Sequence, residues 1–445
     1  MAQTRIIVLD DDPTGSQTVH GCLLLLRWDV ATLREGLDDS APLFFVLTNT
    51  RGVDAARAGA IVREVCRNLK TALAGRDIHP ILVSRSDSTL RGHYPIETDA
   101  IAAELGPFDA HFLVPAFFEG GRVTRDSVHY LRSEGREIPV HETEFARDSV
   151  FGYRHSFLPD YVEEKTEGRI KASTVVRFVL ADIRAGVYDR LMALTGNVCA
   201  VVDAETQSDL DRFTDVVRRA VAAGKRFLFR SAASLLTSLA RLPPQPVAPE
   251  RMGRYALAGR AGAVVVGSHV PRSTRQLEAL LGRPDVVPFE VDVGRIPAEA
   301  DRMLLSLVGQ IEHTHRAGMT PVIYTSRTER DFADRAERLK FGAQVSAFLM
   351  NVVRNLPRTL GYLVSKGGIT SNDVLSDGLG LRSARLLGQI LPGVSVVRCP
   401  ADHPRFPDLM VVIFPGNVGD DQALATVFER LSHAADARRG AAPRA

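Results

Sequence analysis

Short apolar runs alternate with amphipathic segments along most of the chain. In the first half, the runs lie at residues 6–9, 43–47, 81–84, 111–115, 198–202 and 227–229. Buried runs of this kind, separated by segments with helical periodicity, are typical of α/β units around a largely parallel sheet. We therefore predict that the first half folds as an α/β domain.

The same alternation resumes in the second half. Its apolar runs lie at residues 263–266, 322–325, 360–364, 394–397 and 410–414. Between two of these runs, a segment with helical spacing carries apolar residues at Phe341, Val345, Phe348, Leu349 and Val352. These positions form one face of a helix. The pattern predicts a second α/β domain and, over residues 341–354, a helix packed against its core.

A proline-rich segment separates the two halves. Residues 242–250 read Leu-Pro-Pro-Gln-Pro-Val-Ala-Pro-Glu, which is unsuited to a helix or an interior strand and suits a semi-rigid linker. We place an N-terminal domain at residues 1–245 and a C-terminal domain at residues 251–433. The end of the chain, rich in Ala, Arg, Gly and Pro, has no apolar face, so residues 434–445 are predicted to form a flexible tail.

Composition narrows the class of partner. The chain has 445 residues, of which 45% are hydrophobic and 24% charged, as in globular proteins with large cores. Its 55 basic and 53 acidic residues give a formal net charge of +2, so the charge balance gives no support for a nucleic acid or an anionic membrane as partner. We expect a small-molecule ligand, and a homo-oligomer is compatible with the sequence.

The cysteines and the N-terminal sequence indicate the cellular compartment of the protein. Cys22, Cys66, Cys199 and Cys399 form no CxxC pair and no metal-binding spacing with histidine, which favours reduced thiols. The chain runs directly from Met1 into an apolar strand, with no room for a signal peptide. No apolar run reaches the ~18 residues that a membrane span needs. We expect a cytoplasmic protein.

The segment Ser-Lys-Gly-Gly-Ile-Thr-Ser-Asn-Asp at residues 365–373 follows a predicted strand and precedes a plausible helix. A strand that ends at two glycines leaves main-chain N–H groups open to an anion, and the N-terminal end of the helix also favours phosphate. The hydroxyls of Thr370 and Ser371 and the amide of Asn372 are predicted to cap that helix. We interpret the segment as a nucleotide-phosphate loop.

Two further strand-to-glycine turns occur in the same half. One is Phe-Pro-Gly-Asn-Val-Gly-Asp-Asp at residues 414–421, and the other is Gly267-Ser268-His269. Turns of the second kind are common, so that signal is weak by itself. We predict that the loops at residues 365–373 and 414–421 share one site, with an anionic ligand bound in an interdomain active-site cleft.

In the first half, three adjacent carboxylates follow the first predicted strand, in the sequence Asp-Asp-Asp-Pro-Thr-Gly at residues 10–15. A carboxylate at the end of a strand is placed to act as a general base toward a hydroxyl group. The same residues also suit a solvated type I turn. The two interpretations stay open for this segment alone.

Polar segments follow the next two strands as well. Residues 48–52 are Thr-Asn-Thr-Arg-Gly, and residues 84–93 are Ser-Arg-Ser-Asp-Ser-Thr-Leu-Arg-Gly-His. Arg51 and Arg91 offer planar forks for a carboxylate, and Asp87, Ser88 and Thr89 have hydrogen-bonding groups for several hydroxyls. These groups suit a polyhydroxy acid. The alternative is that the hydroxyls and carboxylate cap a helix while the arginines lie on the surface.

The standard nucleotide-binding signatures are missing. The chain has no GxxxxGK[ST] loop, no GxGxxG motif opening a βαβ unit and no protein-kinase motif set. The histidines near the loops, at positions 20, 93, 269 and 403, show no paired metal spacing. Pattern rules alone therefore predict a two-domain α/β protein that binds an anion.

Read together, the segments resemble the four-carbon acid sugar kinase family from Val8 to Leu431. The resemblance rests on the order of seven motifs: Asp11-Asp12-Pro13-Thr14-Gly15, Asn49-Thr50-Arg51, Asp87-Ser88-Thr89-Leu90-Arg91-Gly92, Pro115-Ala116-Phe117, Gly267-Ser268, Gly367-Gly368-Ile369-Thr370 and Gly416-Asn417-Val418-Gly419. It implies an N-terminal sugar-acid-binding domain, a C-terminal nucleotide-binding domain and phosphoryl transfer from ATP to a hydroxyl of threonate, erythronate, a 3-oxo-tetronate or a close relative.

The resemblance also implies roles for individual residues. The acid would be bound by Asp12, Arg51, Asp87, Ser88, Thr89, Leu90 and Arg91, and ATP by Ser268, Gly367, Gly368, Ile369, Thr370 and Gly416. Asp12, followed by Asp87, is our expected acceptor of the hydroxyl proton. Mg²⁺ is expected because ATP carries it, and its ligands are unknown; the acidic candidates are Asp373, Asp402, Asp420 and Asp421.

The chain departs from the family pattern at several positions. Many relatives carry Thr-Gly-Gly-Glu/Asp-Thr in the first phosphate loop, so here Ile369 replaces an acidic residue and Lys366 is added. Pro13 replaces a common Leu, and residues 414–417 replace a Lys-Ser-Gly-type turn. A branched or five-carbon oxo-acid is therefore an alternative substrate. A non-catalytic nucleotide or metabolite sensor, or an interaction protein that retains the fold, is the alternative outside enzymes.

Overall fold

The computed structural model describes residues 3–133, 135–327, 332 and 335–439. The chain divides into two compact units, Met1–Pro244 and Gln245–Ala445. Residues 242–248, which lie at the division, form neither helix nor strand, and a 3-10 helix, Pro249–Tyr255, follows them. This helix begins inside the segment predicted to be a linker, because proline is tolerated in the first turn, where its missing N–H has no helical partner.

The first unit is built on an eight-stranded parallel sheet. Its strands lie in the spatial order β2, β3, β1, β4, β11, β5, β10, β9, and every neighbouring pair is parallel. The strands are β1 Gln3–Asp10, β2 Leu23–Leu25, β3 Leu43–Leu47, β4 Ile78–Arg85, β5 Ala110–Val114, β9 Val176–Phe178, β10 Val198–Val202 and β11 Phe227–Ser231. Because β1 lies between β3 and β4, its carboxyl end is a switch point of the kind at which α/β proteins bind ligands.

Eight α-helices connect and cover this sheet in the described residues. They are α1 Val30–Asp38, α2 Ala55–Leu73, α3 Ile96–Leu105, α4 Leu158–Lys165, α5 Leu180–Ala185, α6 Tyr188–Met192, α7 Gln207–Ala222 and α8 Ser234–Ala240. Helix α2 begins where the Asp54 side chain accepts from the N–H of Arg57, a capping bond worth about 1 kcal/mol. Its Ile61, Val65 and Leu69 pack in one core with sheet residues such as Phe44.

Between β5 and β9 the chain forms a small antiparallel sheet, which our sequence-based prediction missed. It consists of β6 Arg122–Arg125, β7 Val128–Ser133 and β8 Arg136–Pro139. Asp126 and Ser127 form the two-residue turn between β6 and β7, and both have positive φ angles, 52° and 66°. This turn lacks the Asn-Gly or Asp-Gly pair that usually marks such a hairpin in a sequence.

The second unit contains a mixed sheet of seven strands in the order β13, β14, β12, β15, β18, β17, β16. The first five are parallel, whereas β17 is antiparallel to both β18 and β16. The strands are β12 Ala263–Val266, β13 Val286–Val291, β14 Thr320–Thr325, β15 Tyr362–Lys366, β16 Ser383–Leu391, β17 Val394–Arg398 and β18 Met410–Phe414. Strand β12, between β14 and β15, provides the switch point of this unit.

The described helices of the second unit are α9 Pro271–Leu281, α10 Ile296–Arg316, α11 Arg335–Arg354, α12 Gly368–Asp373 and α13 Ala423–Arg439, with a π-helical turn at Val374–Gly378. The face predicted for residues 341–354 is buried at Phe348, Leu349 and Val352. It is only half-buried at Phe341 and Val345. The helix predicted over residues 341–354 is therefore confirmed throughout, whereas its packing against the core is confirmed for the C-terminal half and only partly for the rest.

The predicted α/β fold with largely parallel sheets is confirmed in both units. The run predicted at residues 360–364 forms a strand two residues later, at Tyr362–Lys366. The predicted flexible tail at residues 434–445 is wrong as far as Arg439, because α13 continues to that residue; alanine and arginine are strong helix formers and prolong a helix that is already nucleated. The remainder of that segment, residues 440–445, lies outside the described residues.

Two further observations concern the whole described chain. All four cysteines are free and buried. Among the helices of the described residues, none combines the length and the apolar character needed to cross a bilayer.

Candidate active site

The carboxyl ends of three neighbouring strands bring the predicted acid-binding segments together. Asp10, the last residue of β1, is in register with Leu47 at the end of β3 and with Arg85 at the end of β4. The segments that leave these strands are therefore adjacent at one edge of the sheet. Main-chain bonds continue this arrangement, since the N–H of Arg51 donates to the carbonyl of Asp11 at 3.2 Å.

Arg51 is the centre of the polar cluster at this edge. Its Nη2 donates to Oδ1 of Asp11 at 2.5 Å, its Nε lies 3.4 Å from Oδ2 of the same residue, and its Nη1 donates to Oδ2 of Asp12 at 3.2 Å. Arg51 lies in the 3-10 turn Thr50–Gly52, which begins after Asn49, where a φ of 50° turns the chain sharply. The Arg51 side chain is 18% exposed, so it pairs with the acidic turn while part of it remains accessible.

Asp12 is the most accessible carboxylate of the triplet. Its side chain is 22% exposed, compared with 2% for Asp11 and 1% for Asp10. Oδ1 of Asp12 accepts from both the main-chain N–H, at 2.7 Å, and the hydroxyl of Thr14. Burial alone would raise the pKa of Asp12, but Arg51 and the Thr14 bonds outweigh it and hold the pKa below its usual value. The carboxylate is therefore ionised and oriented at neutral pH.

Asp10 lies beneath this turn in a different environment. A β-carbon on Gly15 would lie 2.0 Å from its carboxylate, so glycine is required for the turn to fold over it. Asp10 Oδ1 is 3.4 Å from Nη1 of Arg85, whereas its Oδ2 is buried without a hydrogen-bond partner. Burial raises the pKa of Asp10 to about 7. The three adjacent carboxylates thus have distinct environments, and the solvated-turn interpretation of the segment is wrong.

The segment after β4 holds the second predicted acid, Asp87. Its Oδ2 accepts from Nε of Arg91 at 2.7 Å and from the hydroxyl of Thr89. Burial would raise the pKa of Asp87, but Arg51, Arg91 and these hydrogen bonds lower it well below its usual range. Arg91 also stacks over the ring of Phe145 at 5.0 Å. Both predicted catalytic acids are therefore ionised, and Arg51 acts electrostatically on both.

Three aromatic or imidazole side chains fix the main chain between Asp87 and Arg91. His129 donates to the carbonyl of Ser88 at 2.8 Å, Tyr153 to that of Thr89 at 2.7 Å and Tyr161 to that of Leu90 at 2.8 Å. Burial lowers the pKa of His129 to about 4, so the imidazole is neutral. The segment is held rigidly by donors from β7, α4 and the loop before α4.

The side chains of Ser88 and Thr89, which we expect to offer hydrogen bonds to substrate hydroxyls, are largely buried in this structure. Ser88, Thr89 and Leu90 are 7%, 1% and 7% exposed, respectively. The hydroxyl of Thr89 is used by Asp87. Leu90 lines a small cavity together with Asp87 and Arg91, and the contacts of Ser88, Thr89 and Leu90 with the acid stay a prediction.

Sequence reasoning missed a buried network behind the acid cluster. Arg230 of β11 donates to Oγ of Ser84 at 2.7 Å, Oγ of Ser86 at 2.7 Å and Oε2 of Glu97 at 2.5 Å. Ser86 in turn donates to Oδ2 of Asp11 at 2.6 Å. The sequence signal was a single arginine inside an otherwise apolar run, since a fully buried arginine normally has carboxylate and hydroxyl partners.

In the second unit, three glycine-containing turns converge on Ser268. A β-carbon on Gly367 would lie 3.0 Å from Cβ of Ser268, and one on Gly416 would lie 3.2 Å from its Oγ. A β-carbon on Gly267 would clash with Oγ1 of Thr370 at 2.2 Å. The loops after β12, β15 and β18 therefore lie together, and the missing side chains at their glycines leave room for this close approach.

The predicted helix caps in this region are wrong. Helix α12 starts at Gly368 with Gly367 as its N-cap, and no side chain caps it. Thr370 and Ser371 are inside the helix, where Ser371 Oγ donates to the carbonyl of Ser365 at 3.1 Å. Gly367 has a φ of 120°, which favours glycine strongly and lets the helix begin directly at the end of β15. Ile369 is 72% exposed.

Lys366, the added residue of this loop, is completely buried. Its Nζ donates to the carbonyl of Pro415 at 2.5 Å and to that of Gly416 at 3.2 Å, and it lies 4.1 Å from the centre of the Phe414 ring. Burial, with a smaller contribution from Arg272, lowers the pKa of Lys366 to about 7. Lys366 therefore connects the end of β15 to the turn after β18.

The acidic candidates for a metal site are dispersed. Asp373 accepts from Ser346, Asp421 pairs with Arg275 at 2.9 Å, Asp420 accepts from the N–H of Gln422, and Asp402 is exposed. Within the described residues, no cluster of three or more metal-binding side chains occurs. These four residues do not form a common set of ligands.

A separate cavity of about 560 Å³ lies between β13, α10 and α11. Its lining includes Phe289, Glu290, Met303 and Phe348. None of the predicted nucleotide-binding residues lines it, so the chemistry of the glycine turns is located elsewhere in the unit.

Comparison with known proteins identifies both parts of the chain. Residues 6–239 match the family model described as a sugar-binding N-terminal domain, and residues 263–424 match the one described as a nucleotide-binding C-terminal domain. Two solved structures share the fold: a putative tRNA synthase from Salmonella typhimurium, with a TM-score of 0.69 and 20% identity over 96% of this chain and 98% of that chain, and a Haemophilus influenzae protein, with a TM-score of 0.65 and 18% identity over 96% and 100%.

The curated relatives align with a smaller share of this chain than these two structures do. A D-erythronate kinase of Heliobacterium modesticaldum is 26% identical over 62% of this chain and 60% of its own length. A D-threonate kinase of Bordetella bronchiseptica is 31% identical over 36% and 39%, and one of Cupriavidus necator is 26% identical over 82% and 83%. The chain thus spans less than two thirds of the first two relatives.

The chain is a two-unit α/β protein whose first unit, with its acid-rich cluster, matches the sugar-binding N-terminal domain model and whose second unit, with its glycine turns, matches the nucleotide-binding C-terminal domain model. The chain belongs to the four-carbon acid sugar kinase family.

Proposed function

We propose that the protein is an ATP-dependent kinase that phosphorylates a hydroxyl of a four-carbon acid sugar, such as threonate, erythronate or a 3-oxo-tetronate. The observation that carries the proposal is the sharing of Arg51 between Asp11 and Asp12 at the switch point of the first sheet. Membership of the family and the relatives named as erythronate and threonate kinases also support the proposal.

The acid would bind at the first site through Asp12, Arg51, Asp87 and Arg91. The side chains of Arg51 and Arg91 are 18% and 27% exposed, and guanidinium groups bind carboxylates through paired hydrogen bonds. The carboxylates of Asp12 and Asp87 accept hydrogen bonds from alcohols. A small molecule with one carboxylate and several hydroxyls matches this set of donors and acceptors.

The nucleotide would bind at the second site, where ATP supplies the phosphoryl group. Main-chain N–H groups of glycine turns are suited to phosphate, and the β-carbons that would fill the space around Ser268 are absent at Gly367 and Gly416. Gly368, Ile369 and Thr370 form the first turn of α12 in the same loop. The residues present therefore fit a polyphosphate. Mg²⁺ is expected to accompany ATP, with its protein ligands unassigned.

The chemistry requires an acceptor for the proton of the attacking hydroxyl. We assign this role to Oδ2 of Asp12, because Oδ1 accepts two hydrogen bonds from Thr14, which orient the carboxylate, whereas Oδ2 accepts one, from Nη1 of Arg51. The lowered pKa of Asp12 keeps it ionised, so it accepts the proton only as the oxygen forms its bond to phosphorus. Asp87 holds Arg91 and orients the acid. The interdomain cleft that the sequence predicts stays a prediction.

A coupled assay of ADP release tests this function. The protein is incubated with MgATP and a panel of four-carbon acids, branched acids and five-carbon oxo-acids, each with an acid-free control. Release that depends on a four-carbon acid supports the proposal. Release that depends only on the other acids overturns the assignment of the substrate class, and no acid-dependent release across the panel favours the sensor.

A further inference from the structure

The starting observation is a buried cation without an anionic partner. Lys366 is fully buried, and lysine is almost never fully buried unless its charge is paired. Its hydrogen-bond acceptors are two uncharged carbonyls, those of Pro415 and Gly416. Among the residues that the structure describes, none of the carboxylates forms an ion pair with it.

The groups around the ammonium do not neutralise its charge. Arg272 of α9 is the charged group that acts on it, and it carries the same sign. From β18 comes the ring of Phe414, whose face attracts a cation but does not neutralise it. Ser268, from the loop after β12, is uncharged. Of the three N–H groups of the ammonium, two donate to carbonyls, so one is left without an acceptor in the described structure.

The position of the ammonium relates this charge to the glycine turns. Its two carbonyl acceptors belong to the turn that contains Gly416, and Ser273 donates to the same Gly416 carbonyl at 3.1 Å. With its carbonyls held inward by Lys366 and Ser273, this turn has its main chain fixed next to Ser268. An anion bound at these turns would place negative charge next to the turn whose carbonyls the ammonium contacts.

We propose that Lys366 is a positioning residue for nucleotide binding: it fixes the turn at Pro415 and Gly416, and its ammonium neutralises charge on the bound phosphates. The inference rests on the proposed function, since it concerns the same nucleotide site. It gives a role to the lysine that this chain adds to the first phosphate loop, and it gives the loop a cation although the Walker lysine motif is missing.

The pH dependence of nucleotide binding separates this role from a structural one. Burial and Arg272 lower the pKa of Lys366 to about 7 in the free protein, and a neighbouring phosphate raises the pKa of an ammonium. Nucleotide binding above neutral pH would therefore take up a proton. The Kd for ADP should rise about tenfold between pH 7 and pH 8.5, because the free protein loses the ammonium over this interval.

The experiment is isothermal titration of the full chain with ADP, in buffers of different ionisation enthalpy, for the wild type, Lys366→Met and the control Lys70→Met, whose side chain is exposed on α2. We expect Lys366→Met to bind ADP at least tenfold more weakly at pH 7, with no proton uptake, and Lys70→Met to match the wild type. The melting temperature of Lys366→Met is measured in parallel, because loss of the hydrogen bonds to the Pro415 and Gly416 carbonyls lowers stability independently of ADP binding.

Two results would contradict the inference in distinguishable ways. If the wild type binds ADP and Lys366→Met binds it with the same Kd and the same pH dependence, Lys366 has no such role and nucleotide binding stands. If the wild type binds neither ADP nor ATP, the nucleotide part of the proposed function is wrong as well. Should Lys366→Met fail to fold, the wild-type titration decides alone: binding without proton uptake above pH 7 overturns the inference.

Discussion

The backbone of Gly92 lies directly against the hydroxyl of Ser86, so that a β-carbon at position 92 would come within 2.5 Å of Oγ. The same β-carbon would meet Nη2 of Arg230 at 2.7 Å and Oδ2 of Asp11 at 3.0 Å. Gly92 also has a φ of 126°. The absence of a side chain at this position therefore lets the segment after β4 close on the acidic turn.

Gly92→Ala should damage both stability and the acid site. We expect a loss of about 2–4 kcal/mol in the free energy of unfolding, because the substitution combines an unfavourable φ with a clash against buried polar groups. Urea denaturation followed by circular dichroism measures it. Gly75→Ala is the matched control: its φ is 75°, with open space around the β-carbon, and it should lose only about 1 kcal/mol. Equal losses would contradict the proposed clash.

Arg51→Lys should weaken acid binding strongly although it conserves the charge. A lysine cannot donate at once to Asp11 and Asp12 with the geometry of a guanidinium fork. We expect the KM for the acid to rise at least tenfold at saturating ATP, with a smaller effect on the KM for ATP, measured by steady-state kinetics. Arg57→Lys, on the exposed face of α2, should leave both constants unchanged. A wild-type KM for the acid in the Arg51→Lys protein would show that Arg51 does not bind the acid.

Asp12→Asn should reduce turnover and leave binding largely intact. An amide cannot accept the hydroxyl proton, and general-base groups typically contribute about 10²–10⁴-fold to rate. Because Asp12 is partly exposed, the fold should tolerate the change, as a thermal melt would verify. The decisive comparison is kcat at saturating acid and ATP. Near-wild-type turnover with normal binding of both substrates would show that Asp12 is not the proton acceptor.

Asp10 should make stability depend on pH with a defined sign. Burial raises the pKa of Asp10 to about 7, above the ~3.9 expected in the unfolded chain. Between these values the folded state holds a proton that the unfolded chain has released, so stability from this group is lost as pH rises from about 4 toward 7.

Asp10→Asn, which carries no charge at any pH, removes that loss. The variant should gain stability relative to the wild type between pH 5 and pH 8, by an amount on the order of 2 kcal/mol. Melting temperatures of the two proteins at both pH values measure the difference. A difference that does not change with pH would contradict the raised pKa.

The sequence predicts the parallel core well because each of its strands is a continuous apolar run. Residues 43–47, 198–202 and 410–414 are strands with the predicted bounds. Strands at sheet edges were missed, since they are short or carry breakers: β9 has three residues, and β13 contains Pro288, which an edge strand tolerates. The antiparallel β16 alternates buried and half-buried residues around Gly388 and gives no continuous run.

The site residues at strand ends were predictable because parallel strands place their carboxyl ends at one edge of the sheet. Burial was not. The main-chain carbonyls of Ser88 and Thr89 accept from donors that are distant in sequence, His129 and Tyr153. The roles of Arg230 and Lys366 likewise depend on which side chains the fold brings next to them. A sequence motif predicts which loop forms the site, whereas the packing of the fold determines which side chains of that loop remain accessible to a ligand.

The central claim is that a phosphoryl group passes from ATP to a hydroxyl of a four-carbon acid. The most direct test is mass spectrometry of threonate and erythronate after incubation with the protein and MgATP, beside reactions with Asp12→Asn. The account predicts that one of these acids, or a 3-oxo-tetronate tested in parallel, gains the mass of one phosphoryl group with stoichiometric ADP, and that the variant gives far less product. Wild-type protein that binds ATP and the acid but leaves every acid unmodified would contradict it.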